Sequence, residues 1–118
     1  MCNYVNDASS QYNWVRTTGD AQLVSTSKPT IDHTDGTGNG AYMIVDISQS
    51  SSSIINQRAR LTSTDITPNG EQCVEFWYYS DAEILSSNSK LNVYARPKTQ
   101  STNSSGYLIW SKNIFQVY

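Results

Sequence analysis

Asp32 and His33 place a carboxylate beside the only imidazole of the chain. An acid–imidazole pair could act as a general base with its orienting partner. Hydrolytic chemistry would also require a nucleophile and an oxyanion site. Thr34 follows directly, but its side chain points elsewhere in most backbones. The alternative is structural: Asp32 and His33 fix a long loop through side-chain to backbone hydrogen bonds. That reading is preferred, and no catalytic residue is assigned.

Asp7, Asp32 and Asp35 are loop carboxylates of the kind that ligate Ca2+ or Na+, since hard cations take carboxylates, carbonyls and water. No EF-hand spacing joins them. Glu75 stands among aromatics, and a buried Glu must be paired or neutral. Arg58 or Arg60 on a neighbouring strand is its natural partner, and no second carboxylate is placed to form an acid pair with it. Trp14, Trp77 and Trp110 could form a sugar-stacking platform. Core packing is the better reading for Trp14 and Trp77, while Trp110, in a short terminal strand, stays open to either. Asn103-Ser104-Ser105 is the single N-x-S/T sequon, which in a secreted protein marks an exposed glycosylated loop.

Cys2 and Cys73 are the two cysteines. They are too few for a disulfide-built miniprotein, they form no CxxC, and one His does not complete a zinc site with them. Either they pair with each other across a long loop or each pairs elsewhere.

The elements that must position these residues read as short strands. Residues 14–16 begin the first, Gly19 turns the chain, and residues 21–25 follow as a strand candidate. Residues 27–40 are rich in Gly, Asn and Asp and predict a long ordered loop. Residues 41–47 predict a strand, the serine tract 48–53 an exposed loop, and the charged–apolar alternation of 58–61 a half-buried strand. Thr67-Pro68-Asn69-Gly70 is a turn signal. It leads into Cys73-Val74-Glu75-Phe76-Trp77-Tyr78-Tyr79, whose β-branched and aromatic content predicts a strand covered on both faces. Residues 90–96 alternate, with Leu91, Val93 and Ala95 on one face. Residues 97–106 form a further loop, and 107–110 and 114–118 two short strands. No sustained helical period occurs. About seven short strands between Gly/Pro/Ser loops predict an all-β, antiparallel sandwich.

A chain of 118 residues fits one domain, residues 1–118. Only 15% of residues are charged, so Ser, Thr and Asn supply the polarity, a habit of secreted and cell-surface modules. Net charge of −2 gives no reason to expect nucleic acid, and the close basic pair Arg58 and Arg60 reads as a structural pattern of one strand face. No apolar run approaches the roughly 20 residues that span a bilayer. Met1 is followed at once by Cys2 and polar residues, without a signal peptide, which predicts a fragment start if the protein is secreted.

The order of features resembles the MAM domain of meprin, the A5 antigen and receptor protein tyrosine phosphatase mu. The residues that carry it are Cys2, Asn6-Asp7, Tyr12-Asn13-Trp14, Arg16, Asp32-His33-Thr34 in a Gly-rich loop and Gly40-Ala41-Tyr42-Met43-Ile44-Val45. They continue with Gln57-Arg58-Ala59-Arg60-Leu61, Cys73-Val74-Glu75-Phe76-Trp77-Tyr78 and Lys90-Leu91-Asn92-Val93-Tyr94-Ala95, followed by Ile109-Trp110. The last two pieces are especially similar to the receptor phosphatase branch.

The resemblance implies a jelly-roll sandwich serving as a non-catalytic extracellular adhesion or protein-interaction module, homophilic or heterophilic, of a cell-surface receptor or secreted protein. It implies that a bound Ca2+ or Na+ would order loops, and that Cys2 would pair upstream and Cys73 downstream. Residues 111–118 match the family poorly. The resemblance accordingly implies a partial domain lacking its N-terminal edge and C-terminal third, with incomplete sheet edges open to pairing with another chain. The loops 48–53 and 97–106 are the expected contact surfaces. A carbohydrate-binding jelly-roll module is the alternative, and a glycan its partner.

Overall fold

The computed structural model describes residues 4–21, 28–46, 57–80, 89–101 and 106–114. The chain forms two compact units, residues 1–79 and 80–118. All regular structure among the described residues is β, in six strands: β1 (Tyr4–Asn6), β2 (Val15–Thr18), β3 (Ala41–Ile44), β4 (Leu61–Ser63), β5 (Lys90–Ala95) and β6 (Tyr107–Asn113). They pair two by two, each pair antiparallel.

In the first unit β1 runs against β4, with Val5 opposite Thr62. The chain leaving β1 stays beside the approach to β4. Asp7 N–H donates to Arg60 C=O at 3.0 Å, and the Gln11 and Tyr12 amides both donate to Arg58 C=O. A parallel bridge joins Tyr12 to Ala59. Side chains reinforce this clamp: Ser10 Oγ accepts from Arg60 N–H at 2.9 Å, and Gln11 Oε1 from Arg58 N–H at 3.1 Å. Of the strand expected over 58–61, Leu61 opens β4, while residues 58–60 are held by three backbone bonds and the Tyr12–Ala59 bridge, with two polar side chains adding to them.

Strand β2 pairs with β3, Thr17 facing Tyr42. Thr17 is the most enclosed side chain described, 6% exposed, and no apolar side chain among the described residues is fully buried. Half-buried Tyr42, Met43, Ile44 and Val45 supply the apolar side of this unit, joined by Leu61. The turn expected at Gly19 is present, but Thr17 and Thr18 belong to the strand. Of the candidate strand at 21–25 only Ala21 is described, and it lies outside any strand.

In the second unit β5 and β6 form one ribbon. Leu91 and Val93 are half-buried and Asn92 and Tyr94 exposed, as their alternation predicts; Ala95 is exposed. A register shift between Val93 and Tyr94 leaves Ile109 as the extra residue on β6, between Trp110 and Leu108, the two-against-one count of a bulge. Across the ribbon Ser111 Oγ donates to Asn92 Oδ1 at 2.7 Å, the two being register partners. Residues 107–113 form one continuous strand, where a strand over 107–110 was expected. Ile114 lies beyond its end, and the strand expected over 114–118 otherwise falls outside the described residues.

The strand expected at 73–79 is absent. These seven residues carry no ladder, and every one is exposed. Aromatic and β-branched content is a preference for a packed pleated surface. A strand exists only where its backbone groups find a neighbour. Each described strand has its own partner, and none pairs with 73–79.

Candidate functional site

Two polar constellations and one aromatic tract, all within the first unit, hold several of the residues singled out by sequence. At the corner after β1, Asp7 Oδ1 accepts from Ser9 N–H at 2.8 Å and from Ser9 Oγ–H at 2.7 Å. Its other oxygen meets Arg60 Nη1 at 3.2 Å. The two Ser9 bonds, then Arg60, hold the Asp7 carboxyl below its ordinary value of 3.8. Arg58 Nη2 donates to Ser9 Oγ at 3.2 Å. Both arginines therefore serve this corner, which corrects the expectation that one of them pairs with Glu75. Glu75 is exposed, and water solvates it at no such cost. Beside the corner, Asn6 clips Trp14 at both backbone groups: Oδ1 accepts from Trp14 N–H at 2.8 Å and Nδ2 donates to Trp14 C=O at 2.9 Å.

The loop over 28–40 is ordered from within. Asp32 N–H donates to Thr37 C=O at 3.0 Å, and Asp32 C=O accepts from Gly36 N–H at 2.8 Å. Asp32 Oδ2 accepts from Asp35 N–H at 2.8 Å, and Thr37 Oγ donates to Asp35 Oδ2. Lys28 Nζ donates to the carbonyls of Thr18 and Gly19, and Tyr42 Oη to Pro29 C=O at 2.5 Å. Burial raises the Tyr42 phenol above its ordinary 10.0. Asp32 thus fixes the loop as its structural reading requires. Asp32 and Asp35 share this loop while Asp7 pairs with Arg60, and no group of three acidic, His or Cys side chains that could hold a metal occurs among the described residues.

His33 behaves differently from the reading given to it. Its ring stacks on Trp77, with centroids 3.7 Å apart and planes 16° from parallel. Expected to be packed in a core, Trp77 is 65% exposed and Tyr79 63% exposed. Phe76 and Tyr78 lean on each other, ring centroids 6.5 Å apart and tilted by 46°. The outcome is an exposed aromatic tract braced at Trp77 by an imidazole. Such a surface offers stacking and apolar contact to a protein or to the face of a sugar ring.

Trp14 is half-buried, and its indole Nε1 is buried without a hydrogen-bond partner among the described residues. Trp110 is half-buried on β6, opposite Val93. Cys73 is exposed and a free thiol among the described residues. Cys2, Asn103 and the serine tract 48–53 lie outside them. Of the 97–106 loop, residues 97–101 and 106 are described.

Comparison with known families decides the membership of the chain. The model of the MAM domain, meprin/A5/mu, matches residues 1–116. The chain belongs to the MAM domain family. No solved structure matches it. A MAM domain is a jelly-roll β-sandwich, in agreement with the all-β, antiparallel structure of this chain. MAM domains are non-catalytic modules of adhesion and protein interaction, found in the extracellular regions of membrane and secreted proteins. Among the described residues no helix is long and apolar enough to cross a membrane. The aromatic tract was legible from sequence as a run of large side chains. Its exposure was not, because nothing local says whether a neighbouring strand will cover it.

Proposed function

We propose that this MAM domain is a homophilic adhesion module of a cell-surface protein, similar to the receptor phosphatase branch, and that residues 76–79 form its contact surface. The exposure of Trp77 and Tyr79 within one aromatic tract carries the reading. Aromatic side chains dominate binding hot spots because they bring large contact area at low entropic cost. A second copy suits the surface well: the exposed aromatic tract meets its own image across a two-fold axis, so that the rings of each copy contact those of the other. Support for treating residues 1–118 as one domain comes from the family match, which runs across both units.

Beads coated with the protein are expected to aggregate with one another. Trp77→Ala on all beads is expected to slow aggregation severalfold, since truncating a hot-spot residue costs about 1 kcal/mol or more. Beads that stay dispersed at every coating density would remove the homophilic reading. Reproducible binding on a glycan array, lost in Trp110→Ala, would favour the carbohydrate-binding alternative instead.

A further inference from the structure

The chain contains two Asn-Gly steps, Asn39-Gly40 and Asn69-Gly70, which local sequence alone makes equivalent. Their surroundings differ. Asn69 and Gly70 are exposed, and the backbone carries no ladder from residue 64 to residue 80. Gly70 has φ +115°, and a Cβ added there would meet nothing within 4 Å. Its amide makes no hydrogen bond to another described residue.

Gly40 is enclosed by the carboxylate loop. A Cβ built on it would collide with Asp32 Cβ and lie 2.9 Å from Asp35 Cβ and 3.0 Å from Asp32 Oδ2. The neighbouring Asn39 amide donates to Thr37 Oγ at 3.3 Å, and Gly40 continues directly into the paired strand β3.

We infer that Asn69 is a site of spontaneous deamidation and backbone isomerisation, while Asn39 is protected by its fold. The Gly70 amide gives its proton to solvent base, and its nitrogen attacks Asn69 Cγ. The N–Cγ bond forms, the Cγ–Nδ2 bond breaks, and ammonia leaves with a proton. Water then opens the cyclic imide at either carbonyl, leaving aspartate or isoaspartate. The sum is asparagine plus water giving acid plus ammonia, with no change of oxidation state.

Two features favour Asn69. The open Gly70 lets the backbone swing its nitrogen toward Cγ, and glycine permits the turn at no steric cost. At Gly40 the nearby Asp32 and Asp35 carboxylates oppose formation of an amide anion, as like charges do, and the knotted loop resists the rotation. The product places a new negative charge two residues before Glu71 and takes the formal net charge from −2 to −3. In the isoaspartate form a methylene is also added to the main chain shortly before the aromatic tract.

The test is peptide mapping by mass spectrometry of the folded protein held at neutral and mildly alkaline pH, with isoaspartate read by enzymatic carboxyl methylation. Acid and isoaspartate are expected to accumulate at position 69 at least about tenfold faster than at position 39, about 1.4 kcal/mol of barrier. The rate at 69 should rise with pH, and the difference should shrink toward unity in concentrated urea. Asn69→Gln should abolish methylation at that peptide and leave position 39 as before. Equal rates in the folded protein, faster change at Asn39, or a difference that survives urea would overturn the inference.

Discussion

At the scale of single residues, Asp7 and Asp32 use their carboxylates to lock turns. Asp7 accepts three bonds from two neighbours, so its ionised form is favoured in the folded chain. Its folded pKa lies below the ordinary 3.8, and folding therefore releases its proton. The contribution is fully present above that ordinary value and is lost as pH falls through the lower folded one. Thermal melts should show the wild type losing its advantage over Asp7→Asn as pH is taken below about 4. A difference in melting temperature that stays constant from pH 7 to pH 2 would refute this role for the carboxylate. Sequence showed that Asp7, Arg58 and Arg60 carry charge; the pairing of Asp7 with Arg60 depends on a contact 53 positions apart, which no local pattern encodes.

At the scale of elements, turn chemistry and alternation were the reliable signals. The loop over 28–40 was legible because Gly, Asn and Asp favour local hydrogen bonds that need no distant partner. The faces of Leu91 and Val93 were legible from their spacing; the exposure of Ala95 was not, because what covers a strand end is decided by its neighbours. The clearest failure was 73–79, where strand-prone residues carry no ladder to any described strand. Gly106 shows how tightly the β5–β6 connection is built. It has φ +80°, and an added Cβ would lie 2.5 Å from Ala95 C=O and 2.9 Å from Arg96 Cα. Gly106→Ala should cost about 1–3 kcal/mol of local stability. Hydrogen exchange would report it as faster exchange of β5 and β6 amides with β2 and β3 unchanged. Unaltered protection in β5 and β6 would contradict the claim that this glycine closes the ribbon.

At the scale of the whole molecule, composition conveyed the class and the order of motifs conveyed the family. A low charge density, abundant hydroxyl and amide side chains and short strands pointed to an all-β module. The MAM match over residues 1–116 agrees. Invisible in the sequence was which aromatic side chains face solvent, because burial is decided by partners. Residues 76–79 are the most consequential instance, and the central claim is that they bind a second copy of the chain. Sedimentation equilibrium over a wide concentration range tests it most directly. Wild-type protein should fit a monomer–dimer equilibrium, and Trp77→Ala and Tyr79→Ala should each weaken the dimer at least about tenfold, about 1.4 kcal/mol. A wild-type chain that stays monomeric throughout, or a dimer indifferent to both substitutions, would contradict the account.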